Sequence, residues 1–185
     1  INPSDMSSLT GAVTRNSDVT LVARYIKTPG GTMTFHHSLY NGENAGGGKA
    51  TTEIQVVVKN SKGEPLYDSG RIAGTASIDK TKITELATQT GLTVTVTLYT
   101  TTKNLYNFKG YYSAENTTVT KPFTTGFTTE VSGDRKEGLV TKSEYTFSFN
   151  DYYTIHKDTL IDNAGTVYYN FYSDITSVKV PYKVQ

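Results

Sequence analysis

The side chains of this chain best able to do chemistry are three histidines, His36, His37 and His156, with no cysteine beside them. A zinc-type site needs three or four His, Cys or carboxylate ligands that converge on one point. Adjacent His36 and His37 on an extended segment project to opposite faces, so they cannot readily chelate one ion. Asp151, Asp158, Asp162 and Asp174 stand in separate segments without the D-x-D-x-D-G spacing of a calcium loop, and surface solvation accounts for them. Neither a metal nor a cofactor is expected.

Asn41 to Lys49 reads NGENAGGGK, a glycine-rich loop that superficially offers backbone amides to a phosphate. Its glycines fall at the wrong spacing, Ala50 replaces the Ser or Thr that a phosphate loop requires, and a strand pattern follows where a helix is needed. Serines are plentiful, but no G-x-S-x-G elbow presents one as a nucleophile. Paired carboxylates meet only in the folded chain and leave no mark here. With no nucleophile, base and orienting group in one motif, the expected role is non-enzymatic.

Tyrosine is the most unusual component, 14 residues beside 7 Phe and no Trp. Tyr111-Tyr112 and Tyr152-Tyr153 form pairs in which one ring of each would face out of a strand, and Tyr168-Tyr169, Tyr172 and Tyr182 extend the pattern. Tyr supplies rigid area with a polar tip, which suits a contact surface for glycan, peptide or a neighbouring subunit. Cross-strand Tyr-Thr packing, worth about 0.2 to 1 kcal/mol per pair, explains the same residues without any ligand. Asn116-Thr117-Thr118 is a glycosylation sequon at Asn116, meaningful in an exporting organism. A Lys and an Asn on neighbouring strands beside an acid would also suit an intramolecular isopeptide, for which the sequence names no pair.

These residues must be positioned by strands. The chain has 185 residues, 18 Lys+Arg against 17 Asp+Glu and a net charge of +1, which gives no basic block for nucleic acid. No apolar run reaches the length of about 18 residues that a membrane span needs. Absence of Cys removes a disulfide framework without fixing a compartment. The chain opens at Ile1 with no signal-peptide pattern, so either a removed leader or an excised piece is expected.

Residues 1–17, Ser/Thr-rich with Leu9, Gly11 and Val13 in weak alternation, read as a loose arm. Residues 18–185 then read as one sandwich domain; a boundary, if there are two modules, falls near 113–118. Strands are predicted over Asp18 to Lys27 and Thr32 to Tyr40 as a hairpin, around Ile54 to Val58, and from Pro65 at an edge. Leu92 to Thr100 alternates most cleanly, with Leu92, Val94, Val96 and Leu98 on one face. Further strands are predicted at 106–112, 117–131, 139–149, 152–161, 167–172 and 175–184, with a turn at Ser173-Asp174. Asp79 is placed to cap the one helix candidate, Lys80 to Thr88. Many short strands without crossover helices predict an all-β, antiparallel β-sandwich, immunoglobulin-like or jelly-roll-like, with at most one short helix.

Within residues 53–102, EIQVVVKNSKGEPLYDSG and ITELATQTGLTVTVTLYTT resemble part of a fibronectin type III or related immunoglobulin-like module. The family's core Trp has no counterpart, and Leu92 stands at the place of its corner Tyr. The resemblance implies a sandwich whose fold mostly serves adhesion, spacing and assembly. The expected role is a structural subunit or module of an extracellular or cell-surface assembly, such as a filament, pilus-like or adhesive layer. Its partners would be further copies or neighbouring subunits, with strand addition through Leu9, Gly11 and Val13. A virion component, such as a phage tail or capsid decoration domain, and a glycan- or protein-binding adhesion module are the alternatives.

Overall fold

The computed structural model describes residues 28–40, 48–103, 105–115, 121–123, 126–134 and 136–178. The described strands form the all-β, two-sheet sandwich expected from the alternation. The first sheet holds, in order, β5 (Thr75–Ile78), β1 (Thr32–Leu39), β11 (Thr166–Ser177), β7 (Tyr106–Glu115) and β8 (Lys121–Phe123). The second holds β3 (Pro65–Asp68), β2 (Ala50–Lys59), β6 (Thr93–Thr102), β10 (Gly138–Ser148) and β9 (Phe127–Asp134), with β4 (Ile72–Ala73) also on β2.

Strand β6 lies at the centre of the second sheet because its alternation is complete. Val94, Val96 and Leu98 are wholly buried, while Thr93, Thr95 and Tyr99 remain partly exposed on the other face. Burying each aliphatic side chain contributes about 1.5–3 kcal/mol, enough to fix the register against a one-residue slip. Ile54, Val56 and Val58 of β2 continue this inner face. Opposite them stand Met33 and Phe35 of β1 and Val167 and Phe171 of β11, all buried.

Several details differ from the sequence expectation of antiparallel strands with at most one short helix. The strands are antiparallel except β1 and β11, which pair parallel from Thr32↔Thr166 to Leu39↔Ser173. A parallel pair leaves no local sequence signature, since its strands are joined only by a long path through the other sheet. The predicted strand over 152–161 is instead helix α2 (Phe149–Ile155) followed by a π-helical turn (Asp158–Asp162). Ser148 caps it, its Oγ accepting from the Asp151 N–H at 3.2 Å, in an S-x-x-D pattern that marks a helix start. The first helix, α1 (Lys80–Ala87), begins as expected at Asp79, whose carboxylate accepts from the Lys82 N–H at 2.8 Å.

The predicted turn at Ser173-Asp174 is also corrected. Both residues lie inside β11, where a bulge between Asp174 and Ile175 absorbs the irregularity. Ser173 is 1% exposed, and its hydroxyl is engaged inside the core, so tertiary bonding overrides its turn preference. The single strand predicted over 117–131 contains two, β8 and the start of β9, with Gly126 at φ +86° just before β9.

Candidate functional site

A row of polar groups, buried from His37 to Ser143 and ending at the exposed Thr129, crosses the sandwich from β1 to β9. His37, fully buried, places Nδ1 2.8 Å from the Glu53 carbonyl oxygen and Nε2 2.5 Å from Ser173 Oγ. A carbonyl only accepts, so Nδ1 carries the proton, and in the neutral ring Nε2 accepts from Ser173. Ser173 Oγ in turn lies 2.7 Å from Thr100 Oγ1. Next to it, Tyr111 donates to Ser143 Oγ at 2.6 Å, and Ser143 lies 3.1 Å from Thr129 Oγ1.

Burial shapes the acidity of this row. Desolvation lowers His37 to about 4, opposed by its bond to the Glu53 carbonyl. Desolvation also pushes Tyr111 up to about 12, against the hydroxyls of Ser143 and Thr100. A serine hydroxyl donating to a neutral imidazole is the first half of a nucleophile-base pair. Here Ser173 and His37 are both shielded, and a backbone carbonyl holds the ring where a catalytic carboxylate would stand. The pair serves to satisfy polar groups inside the core, which desolvation would otherwise penalise.

The sandwich opens at one end into a cleft of about 240 Å³. Tyr145 and Phe147 of β10, Tyr169 of β11 and Tyr152 of α2 line it. Ser148, Asp151 and Ile155 stand around its mouth, Ile155 with 73% of its surface exposed. The rings of Phe147 and Tyr152 lie 5.3 Å apart at 48°, and those of Tyr152 and Tyr169 lie 6.2 Å apart at 86°. The aromatic lining therefore combines edge-to-face and tilted rings and has no single plane.

The sequence-predicted contact tyrosines do not form one patch. Tyr111 is 3% exposed and belongs to the core, because its pairing with Ser173 on β11 turns it inward; this corrects its assignment to a surface. Tyr112, half-buried, stacks on Tyr40 at 4.0 Å and 12°. Tyr152 is largely buried yet lines the cleft, while Tyr153 stacks on Phe149 at 6.1 Å with Lys157 Nζ 5.8 Å from its ring centre. The arm residues Leu9, Gly11 and Val13, the sequon Asn116 and most of the NGENAGGGK loop lie outside the described residues.

The histidines are dispersed. His36 faces away from the core, its Nδ1 2.5 Å from Thr75 Oγ1, and the ring of His156 packs 4.4 Å from that of Tyr152. No group of three or more metal-ligating side chains converges among the described residues. Gly48-Lys49 leads into β2. Asn170, buried on β11, stands opposite His36 and Ala114, so neither register partner is a lysine for an isopeptide.

Sequence reading missed both the Ser173-His37 pair and the cleft. The first joins residues 136 positions apart and leaves no local signal. The second depends on α2, for which the Ser148-Asp151 capping pattern was the available sign. Among the described residues, the four sheet edges are also unequal. Strands β3, β5 and β8 are four, four and three residues long, whereas β9 runs eight residues and is exposed along all but Phe127. Comparison with protein families, with curated proteins and with solved structures finds no match for this chain.

Proposed function

We propose that this chain is a non-enzymatic structural module of an extracellular surface assembly, joined to its neighbours by strand addition at β9. The observation that carries the reading is the contrast among edges. Pro65 begins β3, Pro122 sits in β8, and β5 is only four residues long, all devices or lengths that discourage edge pairing. Strand β9, FTTEVSGD, has neither Pro nor Lys and among the described strands pairs only with β10. An extended segment laid along its outer edge would gain main-chain hydrogen bonds. The alternating Leu9, Gly11 and Val13 make residues 1–17 of a second copy the donor of choice. The Thr- and Tyr-rich strand composition is in keeping with such a structural module.

Light scattering over a concentration series tests this with three proteins: the full chain, a chain lacking residues 1–17, and Val131→Lys. Val131 is 60% exposed on β9, so a lysine there charges the edge without opening the core. The full chain is expected to gain mass with concentration while both variants remain folded monomers. A full chain that stays monomeric, or variants that assemble as it does, would overturn the proposal.

A further inference from the structure

The cleft beneath α2 lies apart from the β9 edge and takes no part in strand addition. We infer that it binds a quaternary ammonium head group, the trimethylammonium of a choline-type small molecule. Two features select this occupant. The rings of Tyr152 and Tyr169 pack edge to face at 86°, with Phe147 tilted at 48° to Tyr152, so the lining has no single broad plane and suits a compact body better than a flat ring. A sugar platform needs the opposite arrangement, one broad face against which a ring can stack. At the mouth stands Asp151, exposed and paired with no Lys or Arg among the described residues.

Aromatic faces carry negative potential and attract a cation, and the carboxylate adds a full charge of the same sign. The cleft suits a methylated cation over a primary one. A primary ammonium brings three N–H donors, all requiring acceptors. Asp151 is the one carboxylate among the lining residues, and Ser148 Oγ has one of its two acceptor positions taken by the Asp151 N–H at 3.2 Å. A trimethylammonium has no N–H to satisfy and spreads its charge over methyl groups that fit against rings. At about 240 Å³ the cleft is smaller than the roughly 300 Å³ at which drug-sized pockets begin, in keeping with a head group.

Titration of the full chain followed by NMR tests the inference with three probes: choline, its uncharged carbon isostere 3,3-dimethylbutan-1-ol, and n-butylammonium. Ring currents should shift the choline methyl protons upfield, and choline should bind about ten-fold more tightly than either other probe. Asp151→Asn, an exposed change that leaves the fold intact, should weaken choline about five-fold and leave the isostere unaffected. Tyr145→Leu, with folding checked by circular dichroism, should weaken choline as well. Equal binding of the isostere would reduce the cleft to an apolar gap, and equal binding of n-butylammonium would remove the preference for a methylated head. Absence of choline binding would overturn the inference outright. None of these results depends on whether the chain assembles through β9.

Discussion

His37 and Ser173, 136 residues apart, meet because the pairing of β1 with β11 is parallel. The register partner of His37 is Phe171, and Ser173 follows two residues later on the same inner face. In an otherwise antiparallel sandwich this one parallel pair sets an imidazole beside a hydroxyl, with Glu53 of β2 supplying the carbonyl from the opposite sheet. The bond from His37 Nδ1 to that carbonyl crosses between the layers and ties both to one geometry. Charging the ring would convert Nε2 from acceptor to donor and set it against the arrangement in which Ser173 donates to it.

Acid should therefore loosen the sandwich through His37. Its folded value of about 4 lies below the ordinary 6.5, so between these limits the unfolded chain takes up a proton that the folded chain refuses. The stabilisation is fully present above pH 6.5 and is lost as pH falls towards 4, by roughly 3 kcal/mol in total. His36, lowered by partial burial, acts in the same direction. Urea midpoints measured from pH 7 to 4.5 should fall for the native chain. His37→Gln retains a donor for the Glu53 carbonyl without titrating, and its midpoint should fall less steeply. An equal slope in both proteins would show that other groups carry the acid sensitivity.

Truncating Phe35 should cost far more than truncating an edge residue of similar chemistry. Phe35 is completely buried, with the rings of Phe147, Tyr152 and Tyr169 centred 6.2, 6.3 and 6.4 Å away. Phe35→Ala leaves a cavity behind these rings and should destabilise by about 3–5 kcal/mol. Val131→Thr, at a position 60% exposed, should change stability by less than about 0.5 kcal/mol. Chemical denaturation distinguishes the two, and comparable losses would mean that β9 is covered in solution.

What was legible follows from the range of each signal. Strand β6 could be read directly, because Leu92 to Leu98 alternate with Thr and Tyr within one short window. Asp79 gave the start of α1 through a bond to Lys82 three residues away. Helix α2 was obscured by Tyr152, Tyr153, Thr154 and Ile155, residues of high strand preference, although Ser148 and Asp151 carried the capping pattern. The pairing of Ser173 with His37 and the meeting of Phe147 with Tyr169 are fixed only when distant strands meet. Tyr111 was misplaced for the same reason: its inward direction comes from register against β11, not from its neighbours in sequence.

Replacing the cap of α1 should have a contained effect. Asp79→Ala removes the acceptor for the Lys82 N–H and should cost about 1 kcal/mol, typical of a lost N-cap. Asp79→Ser should recover most of it, because a serine hydroxyl accepts the same bond. Thermal denaturation reads both, and a serine variant as unstable as the alanine would point to some role of Asp79 other than capping.

Gly31 should tolerate no side chain. A Cβ built there lies 1.9 Å from the Gly165 carbonyl oxygen, a backbone atom that cannot rotate aside. The clash falls where the start of β1 meets the π-helical turn: Gly30 and Gly31 both donate to the Leu160 carbonyl at 3.0 Å, and Thr32 donates to that of Gly165 at 3.3 Å. Gly31→Ala must push these strands apart and break at least one of the bonds, for a loss of about 1–3 kcal/mol by overpacking. Hydrogen exchange should show the amides of Gly30, Gly31 and Thr32 losing protection first, while those of β6 keep theirs. The leading residues of β11 should loosen with them, since Thr32 and Thr166 share a hydroxyl bond at 3.0 Å. Unchanged protection at all three amides would mean that this contact is looser in solution than its geometry requires.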